Sequence, residues 1–262
     1  MTAAPVNPTE LGGIPFLRGS SLARRPDLAH GFTTREGGVS EGGLATLNLA
    51  ARPAESPERL QENWRRVAAA FGLGRHAVAL MSQVHGADVV RVDRGSGPHS
   101  TIAEADAAWT TEVNLLLAVR VADCVPVLVA GAGIVGVAHA GWRGVAAGVV
   151  PALIRAMQDA ADTKLSAVIG PCISGASFEV GPEVVDGLRG AGLSPEVFLA
   201  GTSPRGRPLV DLQRAVAIQL AGAGLTDVEG IAVCTVLDPR MFSHRRDGAE
   251  AGRSAGVIAR LA

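Results

Sequence analysis

The chain has 262 residues, 47% of them hydrophobic, with 24 basic and 25 acidic residues and a formal net charge of −1. That length suits one large domain or two small ones, with a core that needs no disulfide or metal to hold it. Near-neutral charge excludes the broad basic face of a nucleic-acid-binding protein. Cys124, Cys172 and Cys234 are odd in number and widely spaced, which excludes a disulfide framework. The segment MTAAPVNPTELGGIPFLRGS lacks a basic start followed by an apolar run, and no apolar stretch approaches the roughly 18 residues of a membrane span. A soluble, cytoplasmic protein is expected, with neither membrane nor nucleic acid among its partners.

In chain order, residues 1–27 are polar and Pro-rich and are expected to be loosely ordered, which leaves residues 28–262 as one domain. A short strand is predicted near residues 29–34, then a Gly-rich loop over 35–49. The next helix has clear limits. Ser56 can cap it, Pro57 suits its first position, and Glu58 sits favourably in its first turn. Leu60, Trp64, Val67 and Phe71 recur on one face at helical spacing, and Gly72 and Gly74 end it. Short apolar runs over 77–81, 89–92, 115–121, 125–129 and 134–138 read as strands, the last two joined through Gly131-Ala132-Gly133. Residues 145–161 read as helix, with Pro151 marking a kink or a delayed start. A buried strand is predicted over 165–169, then helices near 182–189 and over 211–222. Asp211 caps the second of these and Gly224 lies just past its end. A strand over 231–236 precedes a basic segment over 242–253. No repeat, low-complexity tract or linker divides the chain. The expected fold is one α+β domain, with mixed β-sheets flanked by helices.

His85, Cys124 and His139 each lie at the carboxyl end of an apolar run. Strand ends converging at one rim of a sheet would bring the three together. Two imidazoles and one thiolate are the ligand set of a catalytic zinc that keeps a fourth position open. Their separations match no local metal motif, so three independently buried residues is the other reading. His139 opens the segment HAGWRG, where Gly141 and Gly144 let the backbone approach a ligand and Arg143 can grip phosphate or carboxylate with a forked pair of hydrogen bonds. A tight turn with Trp142 in the core and a solvated Arg143 accounts for it equally. The run FSHRRDGAEAGR gathers His244, Arg245, Arg246 and Arg253 around Asp247, as an anion-binding loop would, with phosphate the obvious ligand. Arg35 can join it from the earlier Gly-rich loop. Cys172 follows Gly170-Pro171 in a turn that suits a nucleophile, but no motif supplies its base. Cys234 is expected inside a strand, in the core.

Together these segments resemble the laccase-domain family, also called the multifunctional purine nucleoside phosphorylase or peptidoglycan editing factor family. HGFTTREGGVS, QVHG, VADCVPVL, AHAGWRG, IGPCISGASFEVG and the series CT…FSHRRDG…GR follow one another in the family's order between residues 30 and 255. The resemblance implies zinc bound by His85, Cys124 and His139, with Cu²⁺ able to substitute at such an N/S site. It implies phosphorolysis of adenosine, inosine, guanosine and methylthioadenosine, with phosphate as co-substrate, and hydrolytic deamination of adenosine. Asp123, beside the Cys124 ligand, is the expected proton shuttle or partner of the metal's ligands. Asp123 and Arg143 are the expected catalytic residues. Arg35, Arg143, Arg245 and Arg246 are the candidates for holding the phosphate, chosen by their chemistry. Ser177 and Phe178 depart from the family, whose members often carry Cys and an aromatic there.

Other readings stand beside this one. A copper polyphenol oxidase needs many His ligands and a His-Cys-Met centre, which six His without a His-x-His pair fit poorly. A peptidoglycan editing hydrolase, removing a misplaced amino acid from a nucleotide-linked precursor, would use the same zinc site with the basic loops on the diphosphate. A non-catalytic module would close the site with a fourth protein ligand, for which Cys172 is the spare thiol.

Overall fold

Successive side chains along a strand point to opposite faces, so a strand apolar throughout must be covered on both. The computed structural model describes residues 7–74, 77–93 and 101–262. Its first elements are β1 (Thr9–Leu11), β2 (Ile14–Leu17), α1 (Ser20–Ala23), β3 (Leu28–Thr33) and α2 (Pro57–Ala69). The strands β4 (Val78–Ser82), β5 (Val89–Arg91), β6 (Thr101–Glu104) and β7 (Ala107–Thr110) come next, then β8 (Leu116–Val121), β9 (Val125–Gly131) and β10 (Ile134–Ala140). Helices then dominate: α3 (Trp142–Ala147) and α4 (Val149–Ala160), β11 (Ser166–Ile169), α5 (Pro182–Gly190) and α6 (Pro195–Phe198). The chain ends with β12 (Leu199–Thr202), β13 (Pro208–Val210), α7 (Leu212–Gly222), β14 (Asp227–Gly230), α8 (His244–Asp247) and β15 (Ser254–Arg260).

One sheet has the order β1-β2-β3-β15-β8-β4-β6, a second β14-β11-β9-β10-β7-β5, and β12 pairs with β13. Both large sheets are mixed. In the first, β4 runs parallel to β6 and β8 while β15 is antiparallel to β3 and β8. In the second, β11 is parallel to β14 and antiparallel to β9. Along β8, Leu117 and Val119 pack between the sheets against Leu128, Val135 and Val137, whereas Leu116 and Ala118 join Trp64 and Val67 of α2. Along β9, Val125, Val127 and Val129 turn to the opposite core, with Leu153, Ile154, Val216 and Leu220 of α4 and α7. The layers therefore run helix, sheet, sheet, helices, and the continuous apolar strands are those covered on both faces. No helix among the described residues is long and apolar enough to cross a membrane.

The α+β class and mixed sheets are as expected, and Ser56 caps α2 by accepting the backbone N–H of Arg59. The single helix predicted over 145–161 is two, parted by Gly148 at φ +83. Pro151 falls in the first turn of α4, where its missing N–H removes no helical bond. Two expectations are corrected. Residues before Leu28 are not loose over the described part: Ile14, Phe16, Leu17 and Leu22 are buried, β2 pairs with β3, and the backbone N–H groups of Ser20 and Ser21 both donate to Glu229 at 2.9 Å. Residues 231–236 form no strand, because β14 just before them takes the place beside β11 and the chain then turns so that Thr235 reaches Asp123.

Where β11 ends, Gly170 lies against the buried ring of Phe32, and an added Cβ would stand 2.3 Å from Phe32 Cε1. Gly170→Ala is expected to destabilise the chain by about 1–3 kcal/mol, the cost of an overpacked core. Thermal unfolding followed by calorimetry reads this as a lower Tm, and an unchanged Tm would show that the ring yields freely.

Candidate active site

Strand β8 of the first sheet passes into β9 of the second through Ala122, Asp123 and Cys124, so Cys124 sits where the chain crosses from one sheet to the other. The β9–β10 hairpin pairs Pro126 with His139 and Val125 with Ala140, which brings His139 to the same corner. His85 comes from the loop after β4 with left-handed backbone, φ 62, a conformation a non-Gly residue rarely keeps without support. The support is Asp106, in the turn between β6 and β7. Its carboxylate accepts the backbone N–H groups of Val84, His85 and Gly86 at 3.1, 3.0 and 2.7 Å. The same carboxylate accepts from His139 Nδ1 at 2.7 Å, and the Asp106 carbonyl accepts the His139 N–H at 2.7 Å. One fully buried side chain thus fixes two of the three expected ligands.

The donor atoms of His85, Cys124 and His139 lie within 4.8 Å of one another. Cys124 Sγ is 4.0 Å from His85 Nε2, and the two imidazoles meet edge to face with centroids 4.8 Å apart. Donation from Nδ1 to Asp106 leaves Nε2 of His139 as its ligating atom. No fourth His, Cys, Asp or Glu joins the group among the described residues, so one side stays open, as in catalytic metal sites. Burial alone would push the Cys124 thiol up, but the His139 imidazolium and hydrogen bonds from both imidazoles more than offset it and bring it down to about 6. Burial likewise opposes charge on His139, yet the Cys124 thiolate and Asp106 raise it to about 9. The direction of both shifts favours the Cys124 thiolate, which is the form that binds metal, and His139 would ligate through Nε2 once that nitrogen has given up its proton.

Two cavities meet at this group. The larger, about 490 Å³, is lined by Arg52, Gln83, Arg120 and Arg253, along with His85, Cys124, His139 and His244. The smaller, about 280 Å³, is lined by Trp142, Arg143, Ile173, Phe178, Leu212 and Arg245, again with His85, Cys124 and His244. Gly141 keeps the centre open. A Cβ there would lie 2.8 Å from His85 Cδ2 and 3.2 Å from Cys124 Sγ. Gly141→Ala is therefore expected to displace the His85 ring and weaken metal binding by about tenfold or more, the scale of a disturbed ligand shell. Competition with a chromophoric chelator measures this, and unchanged affinity would argue that His85 is no ligand.

The structure brings some of the expected residues to the cavities and not others. Arg143 and Arg245 line the smaller one, each guanidinium over a ring, 4.5 Å from the centroid of Trp142 and 5.4 Å from that of Phe178. Arg35 and Arg246 line neither. Arg35 donates to the carbonyls of Ala45 and Gly43 and lies over Phe242. Arg246 donates to the carbonyls of Thr235, Val236, Asp238 and Met241 and pairs with Asp247. These two arginines spend their donors on shaping loops. Asp123 lines the smaller cavity as well, and its carboxylate accepts from Thr235 Oγ1 and from the Arg245 backbone N–H, each at 2.6 Å. The carboxylate that touches a ligand is Asp106. Cys172 is buried and its thiol pushed up by burial, which disfavours a nucleophile. Cys234 is half-buried outside any strand, hydrogen-bonded to Ser174 and Ser177. Asp106 and Arg120 are not among the residues singled out from the sequence, although Arg120 is the one charge in the apolar run 115–122 and Asp106 stands among alanines; Arg52 carries no such signal.

Residues 29–261 match the family described as multi-copper polyphenol oxidoreductase laccase. Over 250 residues the chain is 37% identical to a purine nucleoside phosphorylase of Deinococcus radiodurans, which covers 94% of this chain and 93% of that protein. Over 234 residues it is 39% identical to a purine nucleoside phosphorylase of Mycobacterium tuberculosis, covering 86% and 89%. The crystal structure of YlmD from Geobacillus stearothermophilus superposes with a TM-score of 0.88 at 32% identity, covering 99% of this chain and 100% of that one.

Proposed function

The chain belongs to the multi-copper polyphenol oxidoreductase laccase family, and from that premise we propose that it is a cytoplasmic, zinc-dependent purine nucleoside phosphorylase that also deaminates adenosine. Adenosine, inosine, guanosine and methylthioadenosine are its substrates, with phosphate as co-substrate. The observation that carries this reading is the open three-ligand centre at the junction of an arginine-lined and an aromatic cavity. The names of the Deinococcus and Mycobacterium relatives point the same way.

His85, Cys124 and His139 would hold the ion, and mixed N and S donors suit zinc. Zinc there supplies Lewis acidity and the activation of water that deamination needs. The same donors accept copper, but a multicopper oxidase requires several centres and the described residues hold one such group. Asp106 fixes the His139 ring and the backbone of His85, so the ligands are aligned before any ion arrives. Trp142 and Phe178 offer aromatic surface to a purine, with Ile173 and Leu212 beside them to exclude water. Arg143 and Arg245 border that cavity and face the polar edges of the nucleoside. Asp123 holds the Cys124 corner to Thr235 and Arg245, positioning the ligand instead of moving protons.

The test is adenosine offered with and without phosphate, the products separated by chromatography. Adenine and ribose 1-phosphate should form only with phosphate, and inosine in both arms. Adenosine left intact in both arms by protein carrying zinc would overturn the reading.

A further inference from the structure

We propose that the larger cavity is the phosphate site, with Arg52, Arg120 and Arg253 as the residues that grip the anion. This deepens the phosphorylase reading and rests on it for the reaction, though not for the binding.

The three guanidiniums come from separate parts of the chain. Arg52 lies in the loop before α2, Arg120 in β8, and Arg253 just before β15. The register of β15 on β8 pairs Ser254 with Val121, which sets Arg253 beside the strand end that leads to Cys124. Their backbones are braced. Gln83 both donates to the Arg120 carbonyl at 2.8 Å and accepts its N–H at 2.9 Å. Asn48 accepts the Arg253 N–H at 3.0 Å, and the Leu49 N–H donates to the Arg253 carbonyl at 3.0 Å.

Their charges are not matched. Among the described residues no ion pair joins any of the three to a carboxylate. Arg120 donates to the Met81 carbonyl, and Arg253 to those of Ala251 and Gly252. Among the described residues Arg52 makes no side-chain hydrogen bond, and its Nε is buried without a partner there. A buried donor left unmatched is unfavourable until a ligand takes it. Burial, together with the neighbouring charges of Arg52 and Arg120, depresses the pKa of Arg253 to about 10, so Arg253 remains a cation near neutrality. Three forked donors around a concave space fit a tetrahedral oxyanion. The smaller cavity fits one less well, since it offers two arginines in place of three and its other walls include Trp142, Ile173, Phe178 and Leu212.

The two cavities share His85, Cys124 and His244, so a purine in one and a phosphate in the other meet at the metal centre. In phosphorolysis a phosphate oxygen forms a bond to the anomeric carbon as the carbon–nitrogen bond breaks. The purine leaves with that electron pair and takes up the proton that the hydrogen phosphate gives up. Entering and leaving groups then occupy different cavities.

The experiment is calorimetric titration of inorganic phosphate into the full chain, its Arg52→Ala variant and its Arg143→Ala variant. Arg120→Gln serves as a second variant of the cavity, and circular dichroism checks each fold. Arg52→Ala and Arg120→Gln should each weaken phosphate binding by about tenfold or more, the loss of a charge-assisted hydrogen bond. Arg143→Ala should leave it within about threefold of the parent chain, as a residue of the other cavity does. In inosine phosphorolysis, Arg52→Ala should raise the KM for phosphate and leave that for inosine unchanged. Phosphate binding lost in Arg143→Ala but kept in Arg52→Ala would overturn the proposal, as would a parent chain that binds no phosphate. Binding that falls in Arg52→Ala while nucleosides stay uncleaved would sink the activity and leave the cavity's assignment standing.

Discussion

Replacing His139 with alanine is expected to empty the metal site and abolish nucleoside turnover. His139 is 3% exposed and stands between Cys124 and Asp106, so its ring is both ligand and spacer. Two ligands would be left, and the buried Asp106 would lose its partner. Zinc affinity should fall by more than about 100-fold, beyond the 10–100-fold typical of losing an outer partner. Breaking a buried charged pair also costs about 3–5 kcal/mol, so the variant's fold needs checking by circular dichroism, with His139→Gln as a less disruptive companion. Metal analysis and product chromatography on folded protein read the outcome. A folded variant that keeps its zinc and its activity would remove His139 from the ligand set.

The second large effect belongs to Asp106. Asp106→Asn keeps the shape but swaps one acceptor oxygen for a donor, and the carboxylate now accepts four N–H groups, three from backbone and one from His139. Metal affinity should drop by about 10–100-fold. Stability should respond with a definite sign in pH. Burial opposes ionisation of Asp106, but the hydrogen bonds from His139, Gly86 and Val84 prevail and hold its pKa below the ordinary value. A depressed acid stabilises the fold above its unfolded pKa of about 3.9, and that contribution is lost as pH falls through the folded value. Urea unfolding across acid pH should therefore show a steep loss in the parent chain and a shallower one in Asp106→Asn. Superimposable acid limbs would mean that Asp106 is not the clamp described.

What could be read from the chain beforehand follows from how locally each feature is determined. Helix α2 was legible because Ser56, Pro57 and the spacing of Leu60, Trp64 and Val67 all act within one element. Strands β8, β9 and β10 were legible because burial on both faces leaves unbroken apolar runs. Strand β15 was not: SAGVIAR is made largely of small residues, and its place between β3 and β8 depends on partners far away, with Ala255 N–H donating to Thr33 across 222 positions. Residues 231–236 show the converse, an apolar run that tertiary structure diverts from the sheet. The three ligands stood out as rare residue types at the ends of apolar runs, and the family's motifs fell on the same three. The arginines did not sort themselves. Arg35 and Arg246 have the same chemistry as Arg52 and Arg120, and only the carbonyls around the first two reveal that their donors are spent.

One metal, held by His85, Cys124 and His139, is expected to be needed for nucleoside turnover. The measurement that addresses this most directly is zinc reconstitution of chelator-stripped protein, with inosine phosphorolysis followed at each addition. Activity should be lost with the metal and return linearly, reaching its plateau at about one zinc per chain, as a single three-ligand centre requires. Full activity in the stripped protein, or a plateau unrelated to one zinc per chain, would contradict it.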